Sequence, residues 1–154
     1  MTAHRLCRLP LCVATLLLVL YQPAGAAPPE FLNSGKVLAG DLPFSEAVRH
    51  GDTLYLSGQV GVLPHTRTLA VGGMRAEATQ ALANVRTILE AHGRAMADVI
   101  RCTVMLADMA DWPAFNEIWG AAFQKPYPAR SAIGANGLAL GARVEVECLA
   151  SAGR

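Results

Sequence analysis

The chain lacks the motifs that usually announce a bound cofactor or metal. His50, His65 and His92 share no metal-ligand spacing with one another or with the cysteines, which argues against a zinc site. No glycine loop leads into Lys-Ser or Lys-Thr to cradle a phosphate, and the glycines do not follow the dinucleotide pattern. No Gly-x-Ser-x-Gly elbow is present, and Ser57 has no histidine at a suggestive spacing. Repeats, low-complexity stretches and runs of like charge are also missing. With 13 basic and 12 acidic residues there is no basic stripe, so nucleic acid is not expected as a partner.

What is present begins with an N-terminal pattern. Arg5 and Arg8 precede an apolar run from Leu9 to Leu20, and Ala24-Gly25-Ala26 follows after Gln22-Pro23. A basic start, a short apolar stretch and small residues make the three-part form of a secretory signal peptide. The run is too short to span a bilayer as a stable helix, and no second apolar span follows. The expectation is therefore a signal peptide at residues 1–26 and a single domain at residues 27–154, periplasmic or secreted, without stable membrane association. The alternative is a cytosolic protein whose start codon is placed too far upstream. Cleavage removes Arg5 and Arg8 but no acid, so 13 basic residues become 11 against 12 acidic ones, a net charge of −1. Cys7 and Cys12 leave as well. Cys102 and Cys148 remain in separate strand-like runs, each alternating with core residues, and buried packing is preferred over a bridge.

With an apolar fraction of 53% for the whole chain, building a core is not a difficulty. Ala47 to Arg49 and Thr53 to Ser57 flank His50-Gly51-Asp52 as a hairpin. The glycines of Ser57-Gly58-Gln59-Val60-Gly61 mark a bulge or a close approach to the backbone. Gly72-Gly73 opens a helix ending near Gly93, with Ala78, Ala81, Leu82, Val85, Ile88 and Leu89 as its apolar stripe. Glu77 suits its N-terminal dipole. Val99 to Ala107 reads as a strand. Asp111 is placed to cap a second helix whose buried stripe is Trp112, Phe115, Ile118, Trp119, Ala122 and Phe123. Lys125-Pro126-Tyr127-Pro128 stops that helix, and Arg130–Gly134 and Arg143–Ala150 close the fold as strands. The order is strands, helix, strand, helix, strands: an α+β domain in which two helices cover one sheet face. Another subunit is the expected cover for the other face.

Arg130 arrives on an extended segment among small residues. Its planar, permanently charged fork suits a substrate carboxylate, although a structural salt bridge to Glu145 or Glu147 explains it equally well. Glu145 and Glu147 project from one strand face. They are either a solvated face or include a general acid/base with a raised pKa. Asn116, among aromatic positions, could orient a substrate or satisfy a helix end.

At these residues the sequence resembles the RidA/YjgF family. The matching stretches are Ser57-Gly58-Gln59-Val60-Gly61, Ala81-Leu82-x-Asn84 within the first helix, Thr103-Val104-x-Leu106-Ala107-Asp108, Phe115-Asn116-Glu117, Tyr127-Pro128-Ala129-Arg130-Ser131 and Arg143-Val144-Glu145-Val146-Glu147, in an order that runs over most of residues 40–150. The resemblance implies a chorismate-mutase-like α+β fold, with a mixed sheet, two helices on one face, and a homotrimer with clefts between subunits. It implies hydrolysis of enamines and imines of the 2-aminoacrylate and 2-iminopropionate type to 2-keto acids and ammonia, with no cofactor and no metal.

Carried over by position, the resemblance makes Arg130 the carboxylate receptor and Glu145 the group that positions water and exchanges protons. Ser57, Gly58 and Asn116 contact the substrate, and Ala132 stands where relatives often have cysteine. Leu42-Pro43-Phe44-Ser45-Glu46-Ala47 departs from the usual Gly-Pro-Tyr-Ser-Gln-Ala. Phe44 loses a cleft hydroxyl and Glu46 adds a charge, which leaves the substrate range open. A trimeric small-molecule-binding or interaction protein without turnover is the alternative. The endoribonuclease activity of some relatives fits poorly with a net charge of −1.

Overall fold

The computed structural model describes residues 27–38 and 40–153. The signal peptide expected at residues 1–26 lies outside the described residues. Strands β1 (Glu30–Leu32), β2 (Ala47–His50), β3 (Thr53–Leu56) and β4 (Gln59–Val60) come first. They are followed by helix α1 (Gly73–Ala91), strand β5 (Val99–Leu106), helix α2 (Trp112–Ala122), and strands β6 (Ala129–Gly134) and β7 (Val144–Ser151). The sheet runs β1-β2-β3-β7-β5-β6, with β4 also pairing β7.

β2 and β3 pair with His50 opposite Thr53, leaving Gly51-Asp52 as the turn. Gly51 has a φ of 57°, the positive value that a tight hairpin requires and that glycine adopts without steric cost. Beyond β3 the chain breaks at Ser57-Gly58 and resumes as β4. Both segments lie antiparallel to β7, β3 against its end and β4 against Val146 and Glu145. Only β5 and β6 run parallel, as their connection through α2 demands.

β7 carries the core. Val144, Val146, Cys148 and Ala150 are buried on one face, and Glu145, Glu147 and Leu149 alternate onto the other. Both helices pack on the buried face. α1 contributes the expected stripe, Ala78, Ala81, Leu82, Val85, Ile88 and Leu89, and α2 contributes Phe115 and Trp119. The opposite face has no helix, and Tyr55 and Ile133 stand exposed there.

Three expectations need correction. Cys102 and Cys148 are bonded as a disulfide rather than packed as thiols. The antiparallel register sets them opposite each other with Cα atoms 4.1 Å apart, so the alternation that buries each one also aims it at the other. Glu77 lies beyond the first turn of α1 and is not placed as a partner of the helix dipole. It is buried, and its carboxylate accepts from the backbone N–H of Arg143 at 2.7 Å, tying α1 to the entrance of β7. Asp111 makes no side-chain cap on α2. Its carboxylate accepts instead from Arg143 Nη2 at 2.6 Å, an interaction that also raises the pKa of Arg143.

Among the described residues no helix is long and apolar enough to cross a membrane, and no three metal-capable side chains gather.

Candidate active site

Arg130 projects toward α2. Its register partner on β5 is Cys102, so it leaves the sheet on the helix-covered face. There its guanidinium carbon lies 4.5 Å from the ring centroid of Trp112, 4.8 Å from that of Trp119 and 5.9 Å from that of Phe115. Nη2 donates to Asn116 Oδ1 at 2.7 Å. Nη1 is buried and has no hydrogen-bond partner. Burial pushes the Arg130 pKa below its ordinary value, because the charge has lost water without gaining an anion. Among the described residues no carboxylate forms a salt bridge with Arg130. A cleft of ≈ 360 Å³ opens beside it, lined by Asn116, Trp119, Gly120, Tyr127, Pro128 and Arg130 itself. A partly buried cation that lines a cleft and has a donor without a partner is equipped to take a small anion.

Glu145 belongs to a second cleft. It leaves β7 on the open face, opposite the helices. Its carboxylate lies against the backbone of Gly58, where a Cβ would fall on Oε1. The break between β3 and β4 thus makes room for this acid. Desolvation raises the Glu145 pKa, and the nearby charge of Glu147 raises it further. Leu42, Pro43, Phe44, Gly58, Leu140 and Glu145 are among the residues enclosing ≈ 400 Å³, a largely apolar space.

The other sequence candidates divide between these places. Asn116 is at Arg130, while Phe44 and Gly58 are at Glu145. Ser57 flanks the Glu145 cleft, but its hydroxyl donates to the carbonyl of Ser45 at 2.7 Å and so braces the Phe44 loop. Ala132 packs against the core and lines neither cleft. The extra charge of Glu46 is absorbed locally: its Oε1 accepts from Ser34 N at 2.6 Å and meets His92 Nε2 at 2.8 Å. Trp112 and Trp119, expected only as part of the buried stripe, both contact Arg130. Their signal was the seven-residue spacing around Asn116, which sets two rings on the helix face that meets Arg130.

Arg130 and Glu145 therefore emerge on opposite faces of the same sheet. A single copy of the chain does not bring them together.

A mixed sheet with two helices on one face is an architecture shared with solved proteins. The crystal structure of RidA from the Antarctic bacterium Psychrobacter sp. matches with a TM-score of 0.75 at 36% identity, covering 79% of this chain and 98% of that one. The family model described as Endoribonuclease L-PSP matches residues 36–152, and the chain belongs to this RidA/YjgF family. Among curated relatives, a mouse protein is 43% identical over 122 residues, spanning 79% of this chain and 90% of the mouse protein. A protein of the mite Dermatophagoides farinae is 41% identical over 107 residues, spanning 70% and 84%. Both are named 2-iminobutanoate/2-iminopropanoate deaminase.

Proposed function

We propose that this protein hydrolyses small 2-imino acids, and their enamine tautomers, to 2-keto acids and ammonia. The observation that carries this reading is Arg130: a partly buried guanidinium with one orphaned donor, no acidic partner among the described residues, and a cleft beside it. The substrate carboxylate supplies the missing acceptor, and fixing it orients the imine carbon before reaction. Glu145, with its pKa raised by burial, then accepts a proton from the attacking water. The water oxygen bonds to the imine carbon and the nitrogen takes up a proton. The carbon–nitrogen bond of the resulting carbinolamine breaks as its hydroxyl proton passes, by way of the Glu145 carboxylate, to the departing nitrogen, leaving the 2-keto acid and ammonia. The names of the relatives at 41% and 43% identity support the same reaction.

Because the two side chains sit on opposite faces of one sheet, this chemistry needs a second copy to close the cleft. A homotrimer in which the open face of one subunit meets its neighbour meets that need. Export is supported by the Cys102–Cys148 bridge, since such bonds persist in oxidising compartments. The substrate would then come from an amino-acid-oxidising enzyme outside the cytosol.

The test generates 2-iminopropionate with an amino-acid oxidase and follows pyruvate and ammonia release. The purified protein accelerates release and Arg130→Ala abolishes the acceleration, with light scattering reporting a trimer for both. Full activity in Arg130→Ala overturns the assignment.

A further inference from the structure

We infer that Trp112 and Trp119 are positioning residues that fix the plane of the Arg130 guanidinium and so determine how the site grips a carboxylate. The inference rests on the reading of Arg130 as carboxylate receptor, but not on turnover.

The two tryptophans are seven positions apart, about 10.5 Å along α2 at 1.5 Å per residue. The guanidinium carbon lies 4.5 Å from one centroid and 4.8 Å from the other, so both rings contact the cation. Phe115, on the intervening turn, closes the floor at 5.9 Å. An arginine held only by Asn116 could still rotate about its last side-chain bonds. With the aromatic electrons of two rings stabilising the cation, one edge stays committed to Asn116 Oδ1 and the orphaned Nη1 keeps its direction. The rings also supply the stabilisation that an acid would normally give, without neutralising the charge. An acidic partner in their place would compete with the substrate. The planar fork itself favours a planar carboxylate, which can meet it edge-on.

The chain contains two tryptophans, and both face this guanidinium, so intrinsic fluorescence reports on the site directly. Titrating the purified protein with pyruvate should change tryptophan emission saturably, whereas the uncharged pyruvamide should not. Arg130→Lys should abolish the response, because an ammonium has no plane to clamp. Trp112→Leu should weaken pyruvate binding, and raise KM for the imino acid, by about 3- to 30-fold, the range of a cation–π contact, with kcat much less affected. Trp112→Phe should recover most of the loss. At 119 the variant is Trp119→Phe, because Trp119 is buried and a leucine there could fail to fold, and it should keep most of the pyruvate affinity. A folded Trp112→Leu protein with unchanged pyruvate Kd and unchanged KM overturns the clamp. If the wild-type protein binds pyruvate with the fluorescence change but does not hydrolyse the imine, the clamp stands and the hydrolase reading fails.

Discussion

The carboxylate of Glu145 fills the space where a side chain on Gly58 would begin. The acid on β7 and the break between β3 and β4 are therefore one feature, since the interruption exists where the ladder must admit a side chain. Gly58→Ala should push Glu145 out of position while leaving the buried helix-covered face untouched. A displacement of about 1 Å in a reacting group costs on the order of 100-fold in rate. The expected result is a fall of that size in kcat with the melting temperature nearly unchanged. Steady-state kinetics beside thermal unfolding checks it, and wild-type activity in Gly58→Ala would remove Glu145 from the chemistry.

The acid limb of the pH profile should follow the same carboxylate. Glu145 is raised first by desolvation and then by the negative charge of Glu147. If the ionised form accepts the proton from water, activity is present above the raised pKa and lost as pH falls through it. The limb should therefore lie above the ordinary glutamate range. Glu147→Gln removes the repulsion and lowers the Glu145 pKa, so the limb should move to lower pH. A limb that stays fixed, or moves upward, contradicts the assignment. Rates from pH 4 to 8 by ammonia release give the comparison.

The bridge between β5 and β7 closes a long segment, with the two cysteines 46 positions apart in sequence. Tying such a loop stabilises mainly by restricting the unfolded chain, typically by about 2–4 kcal/mol. The Cys102→Ala/Cys148→Ala double variant should lose stability of that order in urea unfolding. A non-reducing peptide map of protein recovered from an oxidising compartment should yield the Cys102 and Cys148 peptides joined. Separate peptides and an unchanged unfolding midpoint would return both residues to simple core packing.

The parts of this fold that were legible in the sequence are those decided within single elements. The stripe of α1 follows from apolar residues recurring every three or four positions, and the β2–β3 hairpin follows from Gly51 in its turn. The alternation of β7 correctly sorted Glu145 from Val144 and Val146. Relations between elements were not legible. Periodicity shows that Cys102 and Cys148 point inward, but not that β5 and β7 are neighbours in register. It marks both Arg130 and Glu145 as candidates, yet does not reveal that β6 turns one toward α2 while β7 turns the other away. Asp111 carries the chemistry of a helix cap, but a nearby guanidinium on Arg143 outcompetes the backbone for it. Trp112 and Trp119 look like any buried stripe until the cation they share is seen.

The disulfide also determines what survives a cut. Trp112, Asn116, Trp119, Arg130 and Glu145 all lie in the covalent ring between Cys102 and Cys148, whereas Phe44 and Gly58 lie outside it. A protease that nicks an exposed bond inside the ring, for example near Gly137, leaves both fragments tethered, so the anion-gripping apparatus remains in one covalent piece. A nick in the stretch leading to β2 is not protected in this way and can release the segment that carries Phe44.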